Sequence, residues 1–382
     1  MEHVDVAVVG LGALGSATTY HLARRGVDVM GFEQFELGHV RGASHDTSRI
    51  VRRAYESPEY VRLADAAFRD WADLEAATGE TLLTPTGGLT FCPPHGRKPA
   101  SDYVSSLRAV GCEVEELDAR ALADRYPGFR VDEGVTAVHD PSSGIVHASR
   151  SVATLQMHAR MAGARLRPRC PVEAIDDARG EGVVLTTAAG PVHAGSVVLC
   201  ADAWTNRLLE PLGAAVPLRV MQEQVTYFSL ERPADFAPGR FPVWIWDGEV
   251  CFYGFPTYGE PTIKAARDVS ELLTDPDHRS FVPDPGRLEE LRAFMAATIP
   301  GAGRPLRTIT CQYTLTPDRD FVIDAVPGHP DVLLGLGAAH AFKFTPTFGR
   351  VLADLATTRT SDEDLSLFRA DRPALAGAVV AA

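Results

Sequence analysis

Val4-Asp5-Val6-Ala7-Val8-Val9-Gly10-Leu11-Gly12-Ala13-Leu14-Gly15 is the stretch whose reading decides the fold. Its apolar, β-branched first half, interrupted only by Asp5, reads as a buried parallel strand. A GxGxxG follows at the point where a strand gives way to a helix. The first glycine of such a motif makes the tight turn, the second lets a pyrophosphate reach the backbone, and the third lets helix pack on strand. The helix start then offers free amide donors and a positive dipole end to phosphates. The pattern predicts a helix over 13–24 stopped by Gly26, and a second strand over 27–32. That strand ends at Glu33, where a carboxylate accepts hydrogen bonds from a ribose. This βαβ unit binds a dinucleotide, and the motif alone does not choose between FAD and NAD.

Working outward, a helix is predicted over 59–78, closed by Gly79, and a strand over 87–91. A helix over 149–163 takes Ser149 as its N-cap. A hairpin spans 182–199, with Ala189-Gly190-Pro191 at its turn. The segment 217–258 reads mostly as strand and is rich in aromatics, among them Trp244, Trp246 and Tyr253. A helix over 284–299, a strand over 332–336 and a closing helix over 348–357 follow, and the alanine-valine tail after Arg372 is expected to fray. The class is α/β, with a Rossmann-type unit at its start.

At 382 residues, with 45% hydrophobic and 23% charged residues, the chain suits two soluble domains. No apolar run is long enough to span a bilayer, and the apolar opening lacks a basic flank, so a cytoplasmic location is expected. A net charge of −13 argues against nucleic acid or an anionic membrane as partner. The six cysteines are scattered without a CxxC pair, which gives no zinc site and suits a reducing compartment.

Only three of the 37 basic residues are lysines, namely Lys98, Lys264 and Lys343. Where arginine serves almost everywhere, a surviving lysine marks a place that needs a compact ammonium whose pKa can shift. Lys98 sits in a polar loop, whereas Lys264 and Lys343 lie among apolar and aromatic residues. A second cationic feature is Gly42-Ala43-Ser44-His45-Asp46-Thr47-Ser48-Arg49-Ile50-Val51-Arg52-Arg53, a glycine-serine loop running into three arginines. If helical, it sets Arg49 and Arg52 on one side and anchors the other in a core. The pair is then a candidate carboxylate clamp; a solvated basic helix start is the other reading.

These segments, with Ala203-Trp204, Tyr253-Gly254-Phe255-Pro256, Lys264, Cys311-Gln312-Tyr313-Thr314, Phe321–Asp324 and His340–Phe344, resemble the covalent-flavin amine oxidases. This is the family of monomeric sarcosine oxidase and N-methyltryptophan oxidase, and the resemblance runs over nearly the whole chain. It implies an FAD-binding domain from 1–85, 145–215 and 310–382, and a substrate domain on an antiparallel sheet from 86–144 and 216–309. Gly10, Gly12, Gly15, Glu33, Ser44, His45, Val172 and Lys343 would contact the cofactor. Cys311 would join its sulfur to the 8-methyl carbon of the flavin, for which a thiolate is the nucleophile. Lys264 would face the flavin where oxygen reacts, with Arg49 and His340 close to the ring. Arg52 and Lys343 would hold the substrate carboxylate, and Tyr253, Tyr313 and Trp244 would line the pocket.

The chain also departs from the family. Asp268 stands where a substrate-touching histidine is expected, four residues after the lysine, which puts N-methyl glycine in doubt as substrate; Asp268 is a candidate base. Ala339 and Ala341 stand where the family has glycines beside the flavin.

The resemblance implies a monomeric oxidase of a small amino or imino acid, giving an imine and hydrogen peroxide. A flavin monooxygenase is a competing reading, because Gly337-Ala338-Ala339-His340 faintly resembles a GDxxH stretch, without its aspartate. An NAD-linked dehydrogenase and a non-catalytic nucleotide-binding module are the others.

Overall fold

A computed structural model describes residues 1–177 and 181–376. Strand β1 (Glu2–Val9) runs into a turn at Gly10, helix α1 (Ala13–Arg24) and strand β2 (Val29–Phe32). β1 sits between two parallel neighbours, β2 and the long strand Gly190–Leu199. Its side chains alternate from Val6 onward, Val6 and Val8 packing into one apolar cluster and Ala7 and Val9 into another on the opposite face. Arg165–Arg167 extends the sheet beyond β2, while Val183–Thr187 and His329–Leu336 share the far edge of Gly190–Leu199. Helices Ala148–Met161 and Thr345–Thr358 pack on α1. The approach to the latter is close: a Cβ on Gly349 would stand 2.3 Å from that of Ala17.

A second sheet of eight strands takes residues from 88–140 and 219–315. Its strands pair antiparallel except for Val243–Asp247 with Gly88–Cys92. One face is closed by an aromatic cluster around Phe91, Phe241 and Trp244, to which helix Pro285–Thr298 contributes Leu291 and Met295. The other face looks towards the first sheet. Between them lies a small sheet in which strand β3 (Arg49–Val51) pairs with Gly144–Val146, itself paired with Leu83–Pro85.

Several expectations are corrected. Residues 49–51 are extended, because β-branched Ile50 and Val51 find antiparallel partners in Ile145 and Gly144, so no helix places Arg49 and Arg52 on one side. The helix expected from Ser149 begins at Ala148 and is capped by His147, whose ring accepts from Arg150 N, while Ser149 Oγ donates to Asp46 O. Helices Ala100–Ala109 and Ala119–Arg125 lie outside the elements predicted from the sequence. Strand Ala302–Leu315 carries Cys311 into the second sheet, beyond the boundary drawn at 310. Past Arg372 the chain still forms a turn at Pro373–Leu375 that buries Leu375; the tail over 377–382 lies outside the described residues. Among the described residues no helix is long and apolar enough to cross a membrane.

Candidate active site

The two sheets enclose a cleft of about 1150 Å³. That exceeds the usual range for a small-ligand pocket and leaves room for a large group together with a small one. One end is the GxGxxG turn. Gly10 has φ +91°, and a Cβ there would meet Cys200 O at 2.4 Å; a Cβ on Gly15 would meet Gly10 O at 1.8 Å. Helix α1 starts without an acidic residue in its first turn and without a side-chain bond from its N-cap, Gly12. Ser44 Oγ instead accepts from Ala13 N at 3.0 Å. Glu33 accepts from Leu11 N at 2.9 Å and Phe35 N at 3.0 Å, and lone pairs remain for a ribose. Gly10, Gly12, Glu33, Ser44, His45 and Val172 line this part of the cleft, and Gly15 lies beneath it as the helix-to-strand contact.

The inner face of the second sheet supplies the opposite wall with the two-residue period of a strand. Ile309, Cys311 and Tyr313 project into the cleft from Ala302–Leu315, Cys251 and Tyr253 from the strand Cys251–Gly254, and Lys264 from Thr262–Arg267 with Asp268 just past its end. The same alternation turns Trp244 away. Ile245 and Asp247 face the cleft, whereas Trp244 stacks on Phe294 and packs near Phe129 in the core behind the sheet. Trp244 is therefore removed from the pocket-lining set.

The cations divide into separate groups. Arg49 donates to the carbonyls of Ala43 and His45 at 2.8 Å and of Ser48 at 2.9 Å, so its guanidinium staples the loop that it follows. Lys264 is buried and pairs with Asp46 at 3.0 Å. Arg52 and Lys343 meet around Tyr55, whose ring centre is 4.5 Å from the Arg52 guanidinium carbon and 5.7 Å from Lys343 Nζ. Arg52 donates to Ala54 O and Lys343 to His340 O. Among the described residues neither has a carboxylate within ion-pair distance. Burial, and then the Arg52 charge, push the Lys343 ammonium well below its ordinary range.

Burial, reinforced by the Lys343 charge, holds His340 neutral. With Nε2 2.8 Å from Arg319 O, that nitrogen carries the proton and Nδ1 is left as an acceptor. Burial pushes the Cys311 thiol up to about 11, against the pull of Arg49. Burial and then Arg49 lower His45 to about 4.

Ala338 and Ala339 take φ of +40° and +71° at this wall. Left-handed alanines cost about 1 kcal/mol or more each, which marks a constrained backbone.

Some wall residues carried no signal of their own in the sequence. Asp46 lies within the quoted arginine loop and Tyr55 two residues past it, but nothing there distinguishes them. Arg319 pairs with Asp268 at 3.0 Å and lines the cleft from a turn at φ +64°. Asp247 accepts from Arg97 and Tyr103 at 2.8 Å each. No spacing rule links positions so far apart in the chain.

The model of the FAD dependent oxidoreductase family matches residues 5–355. Monomeric sarcosine oxidase from Streptomyces avermitilis is 35% identical over 387 residues, covering 98% of this chain and 99% of the relative. N-methyl-L-tryptophan oxidase from Salmonella arizonae is 30% identical over 377 residues, covering 96% and 98%. Among solved structures, NikD, an unusual amino acid oxidase essential for nikkomycin biosynthesis, superposes with a TM-score of 0.85 at 27% identity, covering 97% and 98%.

Proposed function

The chain belongs to the FAD dependent oxidoreductase family, with the sarcosine and N-methyltryptophan oxidases, and from that premise we propose that it oxidises the C–N bond of a small amino or imino acid held by its carboxylate between Arg52 and Lys343. The observation that carries this reading is the convergence of those two cations, Lys343 buried and Arg52 half-buried, with no carboxylate within ion-pair distance among the described residues. Like charges in a dry site destabilise each other, and an anion between them relieves the repulsion. Arginine supplies a planar fork matched to a carboxylate, and the ammonium a second point charge.

The residues present fit the cofactor. The glycine turn leaves the backbone bare where a pyrophosphate would lie, and the buried His45 Nε2 on the cleft wall has no hydrogen-bond partner among the described residues. Bound FAD supplies the two-electron acceptor for the C–N bond and the centre that returns those electrons to oxygen. The chain's own residues prepare the substrate. Two cations beside the carboxylate lower the pKa of the adjacent amine and favour its neutral form, so no strong base is required. Neutral His340 offers an acceptor, Tyr253 and Tyr313 form the apolar walls, and Asp268, tied to Arg319, is the proposed proton acceptor beside them. Lys264, paired with Asp46 rather than grouped with Arg52 and Lys343, is assigned to oxygen. Cys311 is the proposed covalent link; Arg49, Arg279 and Lys264 offset only part of the burial that raises its thiol.

An N-methyl or cyclic secondary amine is the proposed substrate, with an imine and hydrogen peroxide as products. The six free cysteines agree with a reducing compartment such as the cytoplasm, where the chain is proposed to work as a monomer. A peroxide-detecting screen over N-methyl amino acids and cyclic imino acids tests the reading. Peroxide from at least one of them is expected; a hydroxylated product, or reduction of NAD in place of oxygen, would overturn it.

A further inference from the structure

Lys264 has the most elaborate setting of any cation in the cleft. An ammonium has three N–H bonds. One goes to Asp46 Oδ2 at 3.0 Å and one to Ser48 O at 2.9 Å. The third has no polar partner among the described residues, and the ring centre of Phe255 lies 4.4 Å from Nζ. Asp46 is itself fixed: its Oδ1 accepts from the Tyr227 hydroxyl at 2.7 Å, and the Arg307 guanidinium stacks 3.7 Å above that ring. The carboxylate reaches this place only because Asp46 adopts φ +76°, a left-handed conformation that aspartate tolerates better than most residues. Tyr227 and Lys264 are register partners on adjacent strands, so the loop residue is clamped by the sheet from two sides.

We propose that Asp46 is a positioning residue for the return of electrons to oxygen: it keeps the Lys264 ammonium protonated and leaves one N–H free for the cleft. The inference rests on the assignment of Lys264 to oxygen. The charged and titratable groups facing Lys264 are Asp46 and Arg49 from the loop and β3, Tyr227 and Cys311 from two strands of the second sheet, and His45 and His147 from either side of the loop. Asp46 is the one full opposing charge in that set. Burial lowers the Lys264 ammonium to about 8, with Asp46 acting against burial and Arg49 adding to it. Burial alone would raise Asp46, but Lys264, the Tyr227 hydroxyl and Arg49 together hold it below the usual carboxylate range. Take the carboxylate away, and the ammonium faces desolvation and Arg49 with only a backbone carbonyl to hold it.

With three lysines in the chain, ¹³Cε-lysine labelling gives three resonances, and Lys264→Met assigns one of them. The holoenzyme is titrated by NMR as wild type, Asp46→Asn and Asp46→Gly. Glycine adopts φ near +76° without strain, which guards against a folding failure. In parallel, the rates of reduction by substrate and of reoxidation by oxygen are measured separately against pH. Both Asp46 variants are expected to titrate Lys264 at least about one pH unit lower, a tenfold change in proton affinity. The fall in reoxidation rate moves to lower pH by the same amount, while reduction stays within about twofold. An unshifted Lys264 resonance, or a reoxidation profile unchanged in both variants, overturns the proposal. If Lys264→Met is reoxidised as fast as wild type, the oxygen assignment fails instead, and the resonance shift still reports whether Asp46 holds the ammonium.

Discussion

Arg49 and Arg52 stand three positions apart and have unrelated tasks. The first is consumed by loop carbonyls, and the second is left beside Lys343 with one backbone contact. From spacing alone they looked like a pair; an extended backbone separates them, and the partner of Arg52 comes from nearly three hundred residues downstream. If Lys343 supplies half of the anion site, Lys343→Met removes a charge-assisted contact, a loss of about 1.5–3 kcal/mol. Affinity for a non-oxidisable carboxylate analogue, read from the flavin absorbance, should then fall roughly 10- to 150-fold, whereas affinity for FAD should hold. Lys264→Met should do the reverse, slowing reoxidation by oxygen far more than reduction by substrate; equal slowing of both steps would break the assignment. In Cys311→Ser the flavin should come off on acid precipitation, and flavin that stays bound would mean that another residue is the link.

Strand alternation is the rule that builds the sheet wall of the cleft, and it also explains what the sequence hid. Ile309, Cys311 and Tyr313 are every second residue of one strand, but the period gives two faces without saying which one meets the cleft. Trp244 was misplaced for that reason, one residue out of phase with Ile245. The same wall contains Glu223, the register partner of Cys311, buried with both oxygens accepting from Ser270 N. Burial raises its carboxyl from 4.5 to about 7. The folded state therefore binds this proton more tightly than the unfolded chain, so stability falls as pH rises from about 4.5 to 7, by about 3 kcal/mol in all. Glu223→Gln should abolish that fall, so its melting temperature should gain on wild type across the window and keep the gain above it. Parallel melting curves against pH would contradict the burial of a charge there.

At the scale of the whole molecule, an acidic protein of net charge −13 surrounds a cleft in which Lys264 and Arg319 are paired with carboxylates while Arg52 and Lys343 have none within ion-pair distance among the described residues. The dinucleotide end was legible because its signal is local: one strand, one turn and one helix within the first 33 residues fix it, and Gly10 and Gly15 admit no side chain. The other end of the cleft, the proposed substrate site, is assembled from β3, the second sheet and the turn at 338–344. The Asp46–Lys264 and Asp268–Arg319 pairs span 218 and 51 residues of sequence. No periodicity joins such positions, and only the resemblance to amine oxidases suggested that some of them belong together.

The central claim is that electrons enter from an amine anchored by its carboxylate. The most direct measurement mixes the flavin-loaded protein anaerobically with N-methyl and cyclic amino acids, and with the same amines lacking the carboxylate, while following the flavin absorbance. Bleaching by at least one carboxylate-bearing amine, and none by its decarboxylated counterpart, is the predicted result. Equal bleaching by both would contradict a site built on Arg52 and Lys343.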